Sequence, residues 1–197
     1  MSHHEHHWSR SEFYNMLLSE DRKKWQNPET ILEMLGLKRS MIAADLACGP
    51  GFFSLPAAKV LGANGRLYCV DADPEATEIC ARRLRGAGYR NFEIRVGRLE
   101  AVRFESEVLD RALIANSLHD LEDPVAALGN VHDSLKPEGL LGVVDWKKSE
   151  TPMGPPPDIR MTEEQEEELL RKAGFSVLWT KQAGPYHYMI LAAAMKK

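Results

Sequence analysis

AADLACGPGFFSLPAA, residues 43–58, carries the strongest indication of the fold in this sequence. It runs from an apolar segment around Asp45 through a small turn with Gly49 and Gly51 into helix-forming residues. Glycine lets the backbone come close to another group because it has no side chain. The pattern predicts a strand, a turn and a helix, with the turn packed against a pyrophosphate, a nucleoside or only the neighbouring strand.

The rest of the chain alternates short apolar runs with helical patterns. After a first strand at about 42–47, further strands are predicted at RLYCVDA, NFEIRV, RALIAN and LLGVVDW, the last one after a turn at KPEG (136–139). Two extended runs, FSVLWTKQ and YHYMILAAAM, then form a hairpin. This order predicts an α/β three-layer sandwich: a mostly parallel, seven-stranded sheet with a C-terminal antiparallel hairpin and helices on both faces.

Helix starts are marked by capping residues followed by proline. Asn27, Asp73 and Asp123 each precede a proline, and Thr162 forms a capping box with Gln165. Two short helices are predicted before the first strand. We therefore divide the chain into a disordered, His-rich tail (1–8), an N-terminal helical cap (9–40) and the main domain (41–197).

Composition limits the classes of function. Hydrophobic residues make up 44% of the chain, charged residues 27%, and the net charge is -4, which argues against a nucleic-acid partner. Cys48, Cys69 and Cys80 lack metal-ligand spacing, and the His-rich tail has no matching ligands downstream, so no metal site is predicted. Without a signal peptide or an apolar run near 18 residues, we expect a cytoplasmic protein with no membrane span.

Several residues fall at the carboxyl ends of the predicted strands or just after them, where sheets of this kind bind ligands. They are the segment 45–51, Asp71, Leu99, Glu100 and Asn116. Asp71 follows Gly51 by 20 residues, a position suited to the hydroxyls of a ribose. Nicotinamide and adenosyl cofactors both use such an acid. Ser54 in the third glycine place, the chain length and the final hairpin disfavour a dinucleotide.

These residues resemble the motifs of the Rossmann-like (class I) S-adenosylmethionine-dependent methyltransferases. DLACGPGF is similar to the first motif, D-x-G-x-G-x-G, and VDADPEA to the second. GRLEAVRF, NSLHDLEDP and LKPEGLLGVVDWKK resemble the segments that follow, so the similarity covers about residues 28–196. It is greatest to the ubiquinone/menaquinone-type C-methyltransferases and small prokaryotic relatives. The resemblance implies S-adenosylmethionine as cofactor and in-line methyl transfer to a small-molecule acceptor.

The resemblance also implies roles for individual residues. The cofactor-binding positions are Asp45, Ala47, Gly49, Gly51, Asp71, Ala72, Leu99, Glu100 and Asn116. The two glycines approach the methionine moiety, and Asp45 orders the turn or meets the amino-acid end through water. Asp71 binds the ribose, Ala72 and Leu99 border the adenine, and the carbonyl of Asn116 lies near the ammonium group.

Two positions depart from the family pattern. Ala47 replaces the first glycine, which is tolerable if its φ is negative, since only glycine enters positive φ freely. Arg98 stands where an acid usually accepts from the adenine amine. Glu100, two residues later, or a backbone carbonyl is expected to take that role.

The acceptor side leaves alternatives open. His119 is a candidate general base, titrating near pH ~6.5 when unperturbed, or a positional match without proton transfer. Asp145 either faces the acceptor or lies on the surface. The rival functions are a non-catalytic S-adenosylmethionine-binding or regulatory protein and an NAD(P)-dependent oxidoreductase. A hydrophobic face on the N-terminal helices is consistent with a homodimer.

Overall fold

A seven-stranded sheet lies between two layers of helices in the computed structural model, which describes residues 9–196. The strands are β1 Ile42–Leu46, β2 Arg66–Asp71, β3 Phe92–Val96, β4 Leu109–Ala115, β5 Leu135–Trp146, β6 Phe175–Gln182 and β7 His187–Ala194. The helices are α1 Arg10–Leu17, α2 Glu20–Trp25, α3 Pro28–Met34, α4 Ser54–Leu61, α5 Pro74–Gly86, α6 Pro124–Ser134 and α7 Glu163–Lys172. The tail predicted at 1–8 lies outside the described residues.

The strand order is β3-β2-β1-β4-β5-β7-β6. β1 pairs in parallel with both β2 and β4, so the chain changes direction across the sheet between β1 and β4. β7 is antiparallel to both β5 and β6. The predicted α/β sandwich and its C-terminal hairpin are confirmed, and the switch point beside β1 is where such sheets bind ligands.

The two faces of the sheet carry separate hydrophobic cores because side chains alternate along each strand. Leu113 and Val144 pack with α3, α4 and α5 on one face. Ile114 and Val143 pack with α6 and α7 on the other. Within residues 9–196, no helix combines the length and apolar character that a bilayer crossing requires.

The predicted helix starts are confirmed at the level of individual hydrogen bonds. The side chains of Asn27, Asp73 and Asp123 each accept a backbone N–H of the first turn that follows. Thr162 and Gln165 form both hydrogen bonds of the capping box at the start of α7. These caps satisfy N–H groups that have no partner inside the helix.

Two local predictions are wrong. The N-terminal segment forms three helices instead of two, because Ser9 and Ser19 each accept an N–H and start a separate helix. The turn predicted at 136–139 lies inside β5, which begins at Leu135 directly after α6. Glu138 absorbs the irregularity with a φ of 65°, and the register between β4 and β5 shifts there.

Candidate functional site

Two cavities adjoin at the carboxyl ends of β1, β2 and β4. The first, which we call the loop cavity, has a volume of about 310 Å³ and lies over the turn that follows β1. The second, the outer cavity, has about 330 Å³ and lies between the ends of β2 and β4. Ala47, Asp71, Ser117 and Asp120 line both, so the two form one continuous groove across the switch point.

The two glycines of the turn differ in what they approach. Gly49 has a φ of 51°, lines the loop cavity, and a Cβ placed on it would meet no atom within 4 Å. Gly51 has a φ of 85°, and a Cβ there would lie 2.7 Å from the Cys80 sulfur. Gly51 therefore allows close packing against α5 and does not line the cavity, so the close approach to a ligand is left to Gly49.

Ala47 overturns the expectation of a negative φ. Its φ is 57°, in the left-handed region that glycine occupies without strain. The conformation is needed because the chain turns sharply out of β1 into the loop, where the Cys48 N–H donates to the Val70 carbonyl. A left-handed alanine costs about 1–2 kcal/mol, which the surrounding contacts must offset.

Replacing Ala47 by glycine is expected to raise the free energy of unfolding by about 0.5–1 kcal/mol, because the strain removed exceeds the entropy gained by the unfolded chain. Urea unfolding measures the change. Ala58→Gly in the middle of α4 is the matched control and should lower stability by about 1 kcal/mol or more. A loss of stability in the Ala47 variant would contradict a left-handed residue at this position.

Asp71 connects the turn to the next strand. One of its carboxylate oxygens accepts the Gly49 N–H at 2.7 Å and the other the Asp73 N–H at 2.9 Å. Each oxygen keeps a further lone pair, because a carboxylate offers about four acceptor sites. Asp71 borders both cavities, so it combines an ordering role in the turn with an acceptor position for a ligand's hydroxyl groups.

Asp45 is placed beneath the turn rather than in the groove. Its side chain is fully buried and accepts the Ser54 hydroxyl at 2.5 Å, which fixes the start of α4. Burial raises the pKa of Asp45 to about 7, despite the hydrogen bond from Ser54. Asp45 lines neither cavity, so of its two expected roles the structure supports ordering of the turn.

The outer cavity contains the residues predicted beside the adenine. Ala72, Leu99 and Glu100 line it, and the Leu99 N–H has no acceptor among residues 9–196. Arg98 pairs with Glu122 at 2.9 Å and with Glu100 at 3.4 Å on the rim. The positive charge of Arg98, which departs from the family pattern, is thus paired with two acids. The pairing with Arg98 also holds Glu100 at the edge of the cavity.

A third cavity, which we call the apolar chamber, has about 530 Å³ and opens beside the loop cavity. Its walls come from α1, α2, the end of β5 and the segment after it, and include Phe13, Met16, Leu17, Trp25, Trp146, Met153 and Pro155. Arg22, Asn116 and Asp120 line both the chamber and the loop cavity. The chamber is therefore continuous with the groove.

His119 and Asp145 are brought together at the chamber. The His119 Nδ1 lies 2.8 Å and 2.9 Å from the two Asp145 carboxylate oxygens. His119 lines the chamber, whereas Asp145 lies behind it and accepts the Trp146 N–H at 2.8 Å. Burial alone lowers the pKa of His119, but the hydrogen bond and charge of Asp145 outweigh it and raise the pKa above its usual value.

A cluster that was not predicted from the sequence joins the N-terminal cap to the site. The Arg22 guanidinium donates twice to the Gln26 side-chain oxygen, at 2.9 and 2.8 Å, and lies 4.1 Å from the centre of the Phe52 ring. Gln26 and Asn116 exchange two amide hydrogen bonds of 2.9 and 3.0 Å. Asn116 has a φ of 58°, which asparagine tolerates. The sequence signal for this cluster was weak: Arg22 lies within a short predicted helix.

A second missed residue organises the chamber wall. Arg160 is 3% exposed, and its guanidinium lies 5.1 Å from the centre of the Trp146 ring. It donates to five acceptors of the segment 147–155: the carbonyls of Lys147, Ser149, Met153 and Pro155 and the hydroxyl of Thr151. A proline-rich loop is thereby fixed as a wall.

Arg160→Met is expected to free this wall while leaving the cofactor groove intact. Hydrogen bonds from a charged donor contribute about 1.5–3 kcal/mol each, so amide exchange over 147–155 should accelerate by at least about tenfold. Exchange measured by mass spectrometry tests this, with exposed Lys148→Met as the control. Unchanged exchange in the Arg160 variant would show that the segment is held by its own packing.

Comparisons with known proteins agree with this geometry. The family described as "Methyltransferase domain" matches residues 43–139. The demethylmenaquinone methyltransferase of Staphylococcus aureus (strain MRSA252) is 23% identical over 139 residues, which cover 71% of this chain and 56% of that protein. This chain thus matches little more than half the length of that curated relative.

Solved structures resemble the chain over most of its length. A SAM-dependent methyltransferase from Aquifex aeolicus is 26% identical, with a TM-score of 0.88, covering 94% of this chain and 98% of that one. The cyclase SpnF is 18% identical, with a TM-score of 0.73 over 85% of this chain and 80% of that one. The second likeness concerns the fold alone.

Proposed function

Because the chain belongs to the Rossmann-like (class I) S-adenosylmethionine-dependent methyltransferases, we propose that it methylates a small-molecule acceptor bound in the apolar chamber. The observation that carries the proposal is the continuity of the chamber with the groove, through Arg22, Asn116 and Asp120. A donor in the groove and an acceptor in the chamber would meet where these residues lie.

The groove fits the cofactor that the family and the fold imply. Gly49 leaves open space where a side chain would project, and Asp71 has lone pairs free for ribose hydroxyls. Ala72 and Leu99 would border the adenine, and the Leu99 N–H, which has no acceptor within residues 9–196, would supply a donor for a ring nitrogen. Arg22, beside Asn116, offers a cation for the carboxylate of the methionine end.

When bound, S-adenosylmethionine would supply an activated methyl group, whose bond to the sulfonium sulfur breaks in line as its bond to the acceptor forms, leaving a neutral thioether. The chain's main contribution is to hold the acceptor close to the methyl group and in line with it. Such positioning lowers the activation free energy by up to about 7–11 kcal/mol in favourable cases. The walls of the chamber exclude water and orient an apolar acceptor. His119 accepts the proton of the acceptor at Nε2, since Asp145 holds its Nδ1.

Calorimetric titration with S-adenosylmethionine, S-adenosylhomocysteine and NADH tests the cofactor. We expect micromolar binding of both adenosyl ligands, about -8 kcal/mol, and none of NADH. A screen of small acceptors with methyl-labelled cofactor then tests transfer. Preference for NADH would overturn the proposal in favour of an oxidoreductase, and adenosyl binding without transfer to any acceptor would favour a binding or regulatory protein.

A further inference from the structure

One buried acid, Glu166, lines none of the three cavities. Glu166, in the first turn of α7, is 0% exposed, and neither of its carboxyl oxygens has a hydrogen-bond donor among residues 9–196. An isolated carboxylate in such a position is very costly. Glu166 therefore needs either a proton of its own or a partner that accepts one.

The partner is the acid behind His119. β5 and β7 place Asp145 opposite Tyr188, and the Glu166 carboxyl lies against both. The Tyr188 hydroxyl also lies near the Glu166 carboxyl, and its hydrogen bond within residues 9–196 is a long one of 3.4 Å to the Met161 carbonyl. Two carboxyl groups in a dry interior cannot both ionise, so the pair holds one proton.

The hydrogen bonds decide which acid holds the proton. Asp145 faces the His119 ring nitrogen and accepts the Trp146 N–H, so its oxygens already serve as acceptors on the side away from Glu166. The Glu166 oxygens receive no hydrogen bond within residues 9–196, and burial together with the charge of Asp145 raises the pKa of Glu166 well above its usual value, against a smaller opposing effect of Tyr188. The other groups near the pair are Glu163 on α7 and Arg160, which faces Asp145 and His119.

We propose that Glu166 is a positioning residue that stays protonated and donates a hydrogen bond to Asp145, so that Asp145 alone holds the negative charge behind His119. The inference rests on the proposed role of the His119–Asp145 pair. A neutral donor orients the Asp145 carboxylate without adding a second charge, and it therefore leaves the basicity of His119 to Asp145.

The test is the pKa of His119, measured by NMR on histidine-labelled protein without any acceptor. Glu166→Gln keeps a neutral donor, so the His119 pKa should stay within about 0.3 units of wild type. If Glu166 is ionised in the wild type, the glutamine variant loses a negative charge near His119. The His119 pKa would then fall by about one unit or more, which would overturn the proposal. The matched control is Glu164→Gln, an exposed acid on the same turn of α7.

Glu166→Met removes the donor and separates the hydrogen bond from the charge. With Asp145 less neutralised, the His119 pKa should rise above that of the glutamine variant. Equal values in the two variants would contradict the hydrogen bond. Because the measurement needs neither cofactor nor acceptor, its failure is distinct from failure of the S-adenosylmethionine titration.

Thermal unfolding provides a second readout should the methionine variant fail to fold. The pKa of Glu166 is higher in the folded protein than in the unfolded chain, where it is about 4.3. The stability that this difference provides is fully present below pH ~4.3 and is lost as the pH rises. The Tm of Glu166→Gln should therefore gain on wild type from about pH 5 to about pH 8. A difference in Tm between Glu166→Gln and wild type that stays constant over this pH range would overturn the proposal.

Discussion

Asp71→Ala should weaken S-adenosylmethionine binding about 100-fold, or by about 2.7 kcal/mol. Hydrogen bonds to a charged acceptor contribute about 1.5–3 kcal/mol each, and the ribose offers two hydroxyls. Part of the loss comes from the turn itself, because the Gly49 and Asp73 N–H groups lose their acceptor. Calorimetric titration of folded wild type and variant measures the ratio of dissociation constants.

Asp71→Asn separates the two contributions. An amide keeps one oxygen acceptor but carries no charge and must present an N–H₂ group to the other backbone donor, so we expect about a tenfold loss. Asp158→Ala removes an exposed acid from the segment after β5 and should leave binding unchanged. Binding by Asp71→Ala within threefold of wild type, a difference under about 0.7 kcal/mol, would remove the ribose role from this residue.

His119→Ala should lower turnover about 1000-fold, once the screen has supplied an acceptor, with little change in cofactor affinity. General base catalysis by a positioned side chain contributes about 10²–10⁴-fold. Asp145→Asn should lose a comparable factor because it removes the charge that supports the His119 imidazolium. His132→Ala, outside the site, is the control for loss of an imidazole. Full activity in the His119 variant would exclude a base at this position.

Methyl-transfer activity should depend on pH in a direction that the state of His119 sets. His119 acts as a base only when neutral, and Asp145 raises its pKa above the usual value. Activity should therefore rise with pH through that raised value and level off above it, and Asp145→Asn should move the rise towards acid pH. The raised pKa of His119 also contributes to the free energy of unfolding. This contribution is fully present below pH ~6.5 and is lost as the pH rises through the pKa of His119 in the folded protein.

The sequence determined those features that depend on residues close together in the chain. Capping side chains act within three residues, as at Asp73 and Asp123, and so they fixed the helix starts. Alternation of apolar runs with helices fixed the class of sheet, and its parallel strands placed the ends of β1, β2 and β4 at one edge. For that reason Asp71 at the end of β2 and Asn116 after β4 could be predicted to lie at one edge of the sheet.

Only the tertiary structure decided how distant groups meet. Gln26 bonds to Asn116, 90 residues away, and His119 to Asp145, 26 residues away. The sign of φ at Ala47 and the complete burial of Glu166 likewise depend on packing between elements. Periodicity and capping are local signals, whereas these contacts depend on strand order and on how each helix lies against the sheet. The chain's local pattern therefore predicted where the groove lies, and its folded packing brought Asp145 to His119 and Arg160 to the segment 147–155.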